Sequence, residues 1–169
     1  MEYEFTLTYQ LAPTDSDHEA IVERLGAAGC TDALVGTGHP GRVAIEFIRE
    51  ARSAQDAMNS ALRDVHAAIP TAKLIEVSPD LVGISDVAAI TGVTRQNIRK
   101  LLERHAAGAP TPVHAGTPSL WHLTDMLAWL REHVNYQYPP MTLEVARAAE
   151  QINLRKESAR QGHHGLMYV

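Results

Sequence analysis

The chain has 169 residues, 45% of them apolar and 21% charged, with a formal net charge of −5. These proportions suit a globular protein with a real core and exclude a chain that is disordered throughout. The lone cysteine, Cys30, leaves no partner for an internal disulfide or a zinc-binding thiol set. The longest apolar runs, 87–90 and 126–130, fall far short of a bilayer span, and the acidic start Met1-Glu2-Tyr3-Glu4 is unlike a secretory leader, so a cytoplasmic location is expected.

In chain order, Tyr3, Phe5, Leu7, Tyr9 and Leu11 alternate with Glu4, Thr6, Thr8 and Gln10, the period of two of a strand with one buried face. Pro13 breaks the strand, and Ser16 with Glu19 forms a capping-box pattern ahead of Ile21, Val22, Leu25 and Ala28, a helix that ends near Gly29. Residues 33–35 and 43–48 then predict two strands joined by a Gly- and Pro-rich turn. Ser53 caps a second helix carrying Ala57, Met58, Ala61, Leu62, Val65 and Ile69, which Pro70 stops. A last strand follows at 74–77.

The order β-α-β-β-α-β predicts a ferredoxin-like domain over 1–78, two helices covering one face of a four-stranded antiparallel sheet. Its other face, with Thr6, Thr8 and Glu46, is either solvated or paired with a second copy. Gly36-x-Gly38-x-x-Gly41 has the spacing of a dinucleotide-binding loop, but a strand follows where that motif needs a helix, and Pro40 lacks an amide; it reads as a hairpin turn. Ser78-Pro79-Asp80 reads as a linker, because the pattern changes after it.

Charge also divides there. Residues 1–80 hold 13 acids and 6 bases, whereas 81–135 hold 4 and 5, so an acidic total leaves room for a basic surface in the second half. Within 84–102, Ser85 is expected to cap a short helix with Val87, Ala88 and Ile90 inward; Gly92 makes the turn, and Thr94 caps a second helix with Ile98, Leu101 and Leu102 inward. This is the pattern of a helix-turn-helix. The outward residues of the second helix are Arg95, Gln96, Asn97, Arg99 and Lys100, with no acid before Glu103. Arg pairs with the two acceptors of guanine, and Gln or Asn with adenine, so Arg95, Gln96 and Asn97 are the candidate base readers, and Thr94 beside them belongs to the expected DNA-binding set. Arg99, Lys100 and Arg104, farther along, are candidate phosphate contacts.

Gly92-Val93-Thr94-Arg95-Gln96-Asn97-Ile98-Arg99-Lys100, then Pro110-Thr111-Pro112-Val113, then Leu120-Trp121-His122-Leu123-Thr124-Asp125-Met126-Leu127-Ala128-Trp129-Leu130 make residues 82–133 resemble the winged helix-turn-helix of MerR, excisionase and AlpA-type DNA-binding proteins. The resemblance implies a two-stranded wing, with strands at 113–114 and 119–121 around Ala115-Gly116-Thr117-Pro118, and makes His114, Thr117 and Ser119 wing contacts with DNA. The extra domain precedes the helix-turn-helix and no cysteine set follows it, so the excisionase or AlpA type is closer than the metal- and drug-sensing MerR regulators.

Trp121 and Trp129, set among leucines, read as core; Cys30 as a small structural residue; and His163-His164 as a solvated end. Residues 141–160 predict a helix with Met141, Val145, Ala148, Ala149, Ile152 and Leu154 on one side, packed on its own chain or, the arrangement favoured because two copies would present two recognition helices, on the same helix of a second copy; residues 162–169 form a tail.

The expected fold is therefore α+β: a ferredoxin-like domain over 1–78, a winged helix-turn-helix over 82–134 and a carboxy-terminal helix over 139–161. The expected function is sequence-specific binding of double-stranded DNA by a homodimeric transcription regulator on an inverted repeat. The amino-terminal domain would dimerise, bind a protein partner or sense a small effector. The alternative is a protein-interaction or ligand-binding module whose helix-turn-helix does not meet DNA. No metalloprotease, nucleophile-elbow or Walker motif occurs, so no enzyme, catalytic residue, metal or cofactor is expected.

Overall fold

The computed structural model describes residues 1–36 and 39–162. They form two compact units, one of residues 1–78 with the segment from 148 onward, the other of 79–147.

In the first unit, β1 (Glu2–Gln10), α1 (His18–Ala27), β2 (Ala33–Gly36), β3 (Arg42–Glu50), α2 (Ala54–Ala68) and β4 (Lys73–Ser78) follow the expected order. The sheet is antiparallel throughout, in the order β2-β3-β1-β4. Alternation dictates its faces. Tyr3, Phe5, Leu7 and Tyr9 of β1 lie opposite Arg49, Phe47, Ile45 and Val43 of β3, and all eight are buried. Phe5 and Phe47 stack at 5.4 Å between ring centres, a cross-strand pair that fixes the register. Ile21 and Leu25 of α1, and Ala57, Met58, Ala61 and Val65 of α2, complete this core. The other face carries Glu4, Glu46 and Glu76 beside Leu34 and Ile48, and these two aliphatic side chains are exposed.

Some ends fall one residue from where the pattern puts them. Asp17, not Ser16, caps α1, accepting from the Glu19 and Ala20 amides, and Val22 faces outward. Ser53 caps α2 as expected, accepting from Asp56 N–H at 3.1 Å. Gly41 takes φ of +75° and leads straight into β3, consistent with the hairpin reading of the glycine motif; Gly38 lies outside the described residues.

Arg49 occupies an inward position of β3. Its guanidinium donates to both carboxylate oxygens of Asp32, at 2.8 and 3.0 Å, to Asp64 at 2.7 Å and to the Ser60 hydroxyl at 3.2 Å, and it lies over the Phe47 ring. A charge at a core position is tolerated only when paired and hydrogen-bonded in this way. Arg49 holds the Asp32 carboxyl below its ordinary range, whereas burial, followed by the charge of Asp64, pushes the neighbouring Cys30 thiol up. Cys30 is buried, as a structural residue should be.

The second unit begins earlier than the linker reading allows. Asp80 is buried; its carbonyl accepts from Leu123 N–H at 2.7 Å, and its carboxylate meets His122 Nδ1 at 2.7 Å. β5 (Leu81–Val82) pairs antiparallel with β6 (Trp121–His122), and between them lie α3 (Ile84–Thr91) and α4 (Arg95–Arg104), followed by a 3-10 turn at Ala106–Gly108. α5 (Leu123–Val134) and the first turns of α6 (Pro140–Arg160) close the unit. Val82, Val87, Ile98, Trp121, Met126 and Trp129 belong to one core, so both tryptophans are core residues.

α6 extends from the second unit into the first. Val145, Ala148, Ala149 and Ile152 are already buried within the single chain, so this stripe is not left open for a second copy, contrary to the favoured expectation, while Leu154 is exposed and does not join the stripe. Inside the first unit the Asn153 side chain accepts from Val77 N–H and donates to Val77 O, both at 2.8 Å, while Lys156 donates to Ile75 O. These contacts satisfy backbone groups along the outer edge of β4, which would otherwise invite another strand. Among the described residues, no helix is long and apolar enough to cross a membrane. His163 and His164 lie outside the described residues.

Candidate nucleic-acid interface

The α3–α4 pair is built by short-range rules. Gly83 stands at the start of α3, where its N–H donates to the Asp86 carboxylate at 2.9 Å; Ser85 is already inside the helix and is not the cap. Val87 is buried as expected, but Ile90 is exposed and Thr91 buried in its place. The Thr91 hydroxyl donates to Val87 O at 2.7 Å, which makes that burial tolerable. Gly92 adopts φ of +76°, a left-handed conformation that L side chains resist, and its N–H donates to Ala88 O, ending α3. Two residues later the Thr94 hydroxyl accepts from Asn97 N–H at 3.1 Å and starts α4. Tyr136, after α5, donates its hydroxyl to the Thr91 carbonyl and ties the end of α3 to the body of the unit.

Ile98 is the fully buried side chain of α4, with Leu101 and Leu102 half-buried against the same core. That anchoring turns Arg95, Gln96, Asn97, Arg99, Lys100 and Arg104 to solvent. None of these six side chains makes a hydrogen bond or ion pair with the described residues. The first turn of α4 contains no acid, and its last turn carries Arg104. The result is a row of uncommitted donors on a helix whose opposite side is fixed.

No known family model, curated protein or solved structure matches the chain.

The segment after α4 supplies less than the resemblance implies. Between the two expected wing strands, the pairing among the described residues is one antiparallel bridge from His114 to Leu120, with Val113 N–H donating to Leu120 O at 2.7 Å and Leu120 N–H to His114 O at 2.9 Å. Trp121, expected in the wing, pairs instead with Val82, and its indole N–H donates to Pro110 O at 3.0 Å. His114 and Thr117 are exposed at this turn, whereas the half-buried Ser119 uses its hydroxyl proton on Gly116 O at 3.1 Å. Ser119 is thus committed to closing the turn. Sequence reasoning missed Asp80, Asp86 and Tyr136; of these, Asp86 was detectable, lying three residues after Gly83 at the spacing of a reciprocal cap.

Proposed function

We propose that the chain is a sequence-specific DNA-binding regulator. In this reading α4 enters the major groove as the recognition helix of a winged helix-turn-helix of the MerR, excisionase and AlpA type, carried beside a ferredoxin-like domain. The observation that carries the proposal is the state of α4: buried Ile98 on one side, and on the other Arg95, Gln96, Asn97, Arg99, Lys100 and Arg104 exposed and unpaired. A surface helix stabilised for its own sake tends to set opposite charges three or four residues apart. Glu103, the one acid among the outward residues of α4, stands four residues after Arg99 and three after Lys100, yet pairs with neither, so the cations stay available and a polyanion is the ligand their charge suits.

Arg95, Gln96 and Asn97 lie in the first turn, the part of a recognition helix that reaches base edges, while Arg99, Lys100 and Arg104 contact phosphates. His114 and Thr117 on the following turn touch the backbone of the same duplex. One helix with three readers covers only a few base pairs, so two copies on an inverted repeat, one α4 in each of two successive major grooves, complete the site.

Selection from a random duplex library, followed by footprinting, tests this reading. Arg95→Ala and Gln96→Ala are expected to relax preference at particular positions, whereas Lys100→Ala weakens all sequences alike and lowers the salt slope by about one. A footprint with one half-site removes the two-copy arrangement. Equal, sequence-blind losses in all three variants remove the reader assignment, and no enrichment of any duplex at low salt removes DNA binding.

A further inference from the structure

The first unit holds a cavity of about 700 Å³ bounded by the end of β1 and its following loop, the start of α1 and the turn into β3. That volume falls inside the roughly 300–1,000 Å³ range of small-molecule sites. Leu11 and Ile21 contribute its buried apolar floor, and Pro40 lies at its rim.

The polar groups in the wall are unequal. Asp15 is its one acid, and both carboxylate oxygens are occupied: Oδ2 accepts from the Thr71 hydroxyl and Oδ1 from Arg24 at 3.1 Å. The Thr71 hydrogen bond, with help from Arg24, holds this carboxyl below its ordinary range, so it is ionised and already matched. Arg42 is the fixed cation of the wall, and its one polar contact is Gln10 Oε1 at 3.5 Å, the outer limit of a hydrogen bond. His18 and His39 add ring nitrogens that have no partner among the described residues. A guanidinium held by one long hydrogen bond and two free imidazoles above an apolar floor suit a molecule with a carboxylate at one end and hydrocarbon at the other.

We propose that this cavity binds a small organic acid, its carboxylate held by Arg42 with His18 and His39 donating, and its hydrocarbon portion against Leu11, Ile21 and Pro40. A cation meets no free acid in the wall, and a neutral alcohol leaves the guanidinium unused. A bare anion leaves the apolar floor unused. The site lies wholly within the first unit and does not depend on the DNA-binding reading.

Calorimetric titration of the full chain at pH 7 with hexanoate and benzoate, against hexanol, hexylamine and inorganic phosphate, tests the assignment. Saturable binding is expected for at least one of the two carboxylates and for none of the three controls. Arg42→Gln is expected to weaken that binding about tenfold or more, as loss of a charge-assisted contact does. Because Arg42 is exposed, its thermal unfolding without ligand should stay where it is. Arg42→Lys should recover part of the affinity. No saturable binding by either carboxylate overturns the proposal. So does hexanol, hexylamine or phosphate binding as tightly as the carboxylates, or unchanged affinity in Arg42→Gln.

Discussion

Arg49 and Arg95 carry the same guanidinium into opposite settings. Arg49 sits at an inward position of β3 with two carboxylates, a hydroxyl and an aromatic ring around it. Arg95 opens α4 in solvent with no partner among the described residues. A buried charge must be satisfied within the fold or the fold fails, whereas an exposed one is held by water until something better arrives. Substitutions at the first site should therefore be read in stability, and at the second in binding.

The largest expected effect follows from removing the buried partner. Arg49→Met leaves Asp32 and Asp64, which are partly exposed and can turn to water, without their cation, and the loss of these charge-assisted hydrogen bonds costs about 2 kcal/mol or more, measured by urea unfolding. The same variant should change the pH profile. Asp32 has its pKa lowered chiefly by its hydrogen bonds to Arg49, so the stability it contributes is complete above the unfolded carboxyl value, near pH 4, and is lost as pH falls through the lower folded value. Wild-type protein should lose stability below about pH 4 more steeply than Arg49→Met, in which that linkage is gone. Parallel acid profiles would mean that the Arg49 cluster is not what makes the unit acid-sensitive.

The two sites also differed in how much the sequence disclosed. α4 was legible because its rules are local: Gly92 ends one helix, Thr94 starts the next and Ile98 marks the inward side, all within seven residues. The alternation of β1 and the Ser53 cap were legible for the same reason. Arg49 was not, because Asp32 and Asp64 lie 17 and 15 residues away and only the folded sheet and helices assemble them. Caps were misplaced where several capping residues compete, as in Thr14-Asp15-Ser16-Asp17. Ile90 was assigned inward on hydrophobicity, yet the helix phase turns Thr91 inward, and its hydroxyl reaching Val87 O is invisible to any hydropathy pattern. The short strands β5 and β6 have two residues each, too few to show a period, so Asp80 looked like a linker.

On the α4 side, Arg95→Ala should leave urea unfolding within about 0.5 kcal/mol of wild type, the usual result for an exposed position. Its affinity for a selected duplex should fall about 10- to 100-fold, the worth of one bidentate base contact. Loss of stability without loss of affinity would reverse the contrast with Arg49. Gly92→Ala is a smaller perturbation of the fold. A Cβ there meets nothing within 4 Å, so only the left-handed backbone is penalised, at about 1–2 kcal/mol in thermal or urea unfolding. A cost near zero would show that the turn relaxes to a conformation open to any residue.

Thr94 joins the two kinds of site in one residue, because its hydroxyl both caps α4 and stands beside the proposed first-turn readers. Thr94→Ala removes the acceptor for Asn97 N–H and should cost about 1 kcal/mol of stability, with some loss of DNA affinity as the first turn frays. That double loss cannot distinguish a cap from a contact. Thr94→Asp can, because aspartate caps as well as threonine and suits the positive end of the helix, so stability should be held or slightly raised. The added negative charge, however, would face the phosphates of a duplex lying against α4, and affinity should drop most at low salt, where screening is weakest. If Thr94→Asp folds as well as wild type and still binds duplex DNA equally at low salt, the first turn of α4 does not lie against the phosphate backbone.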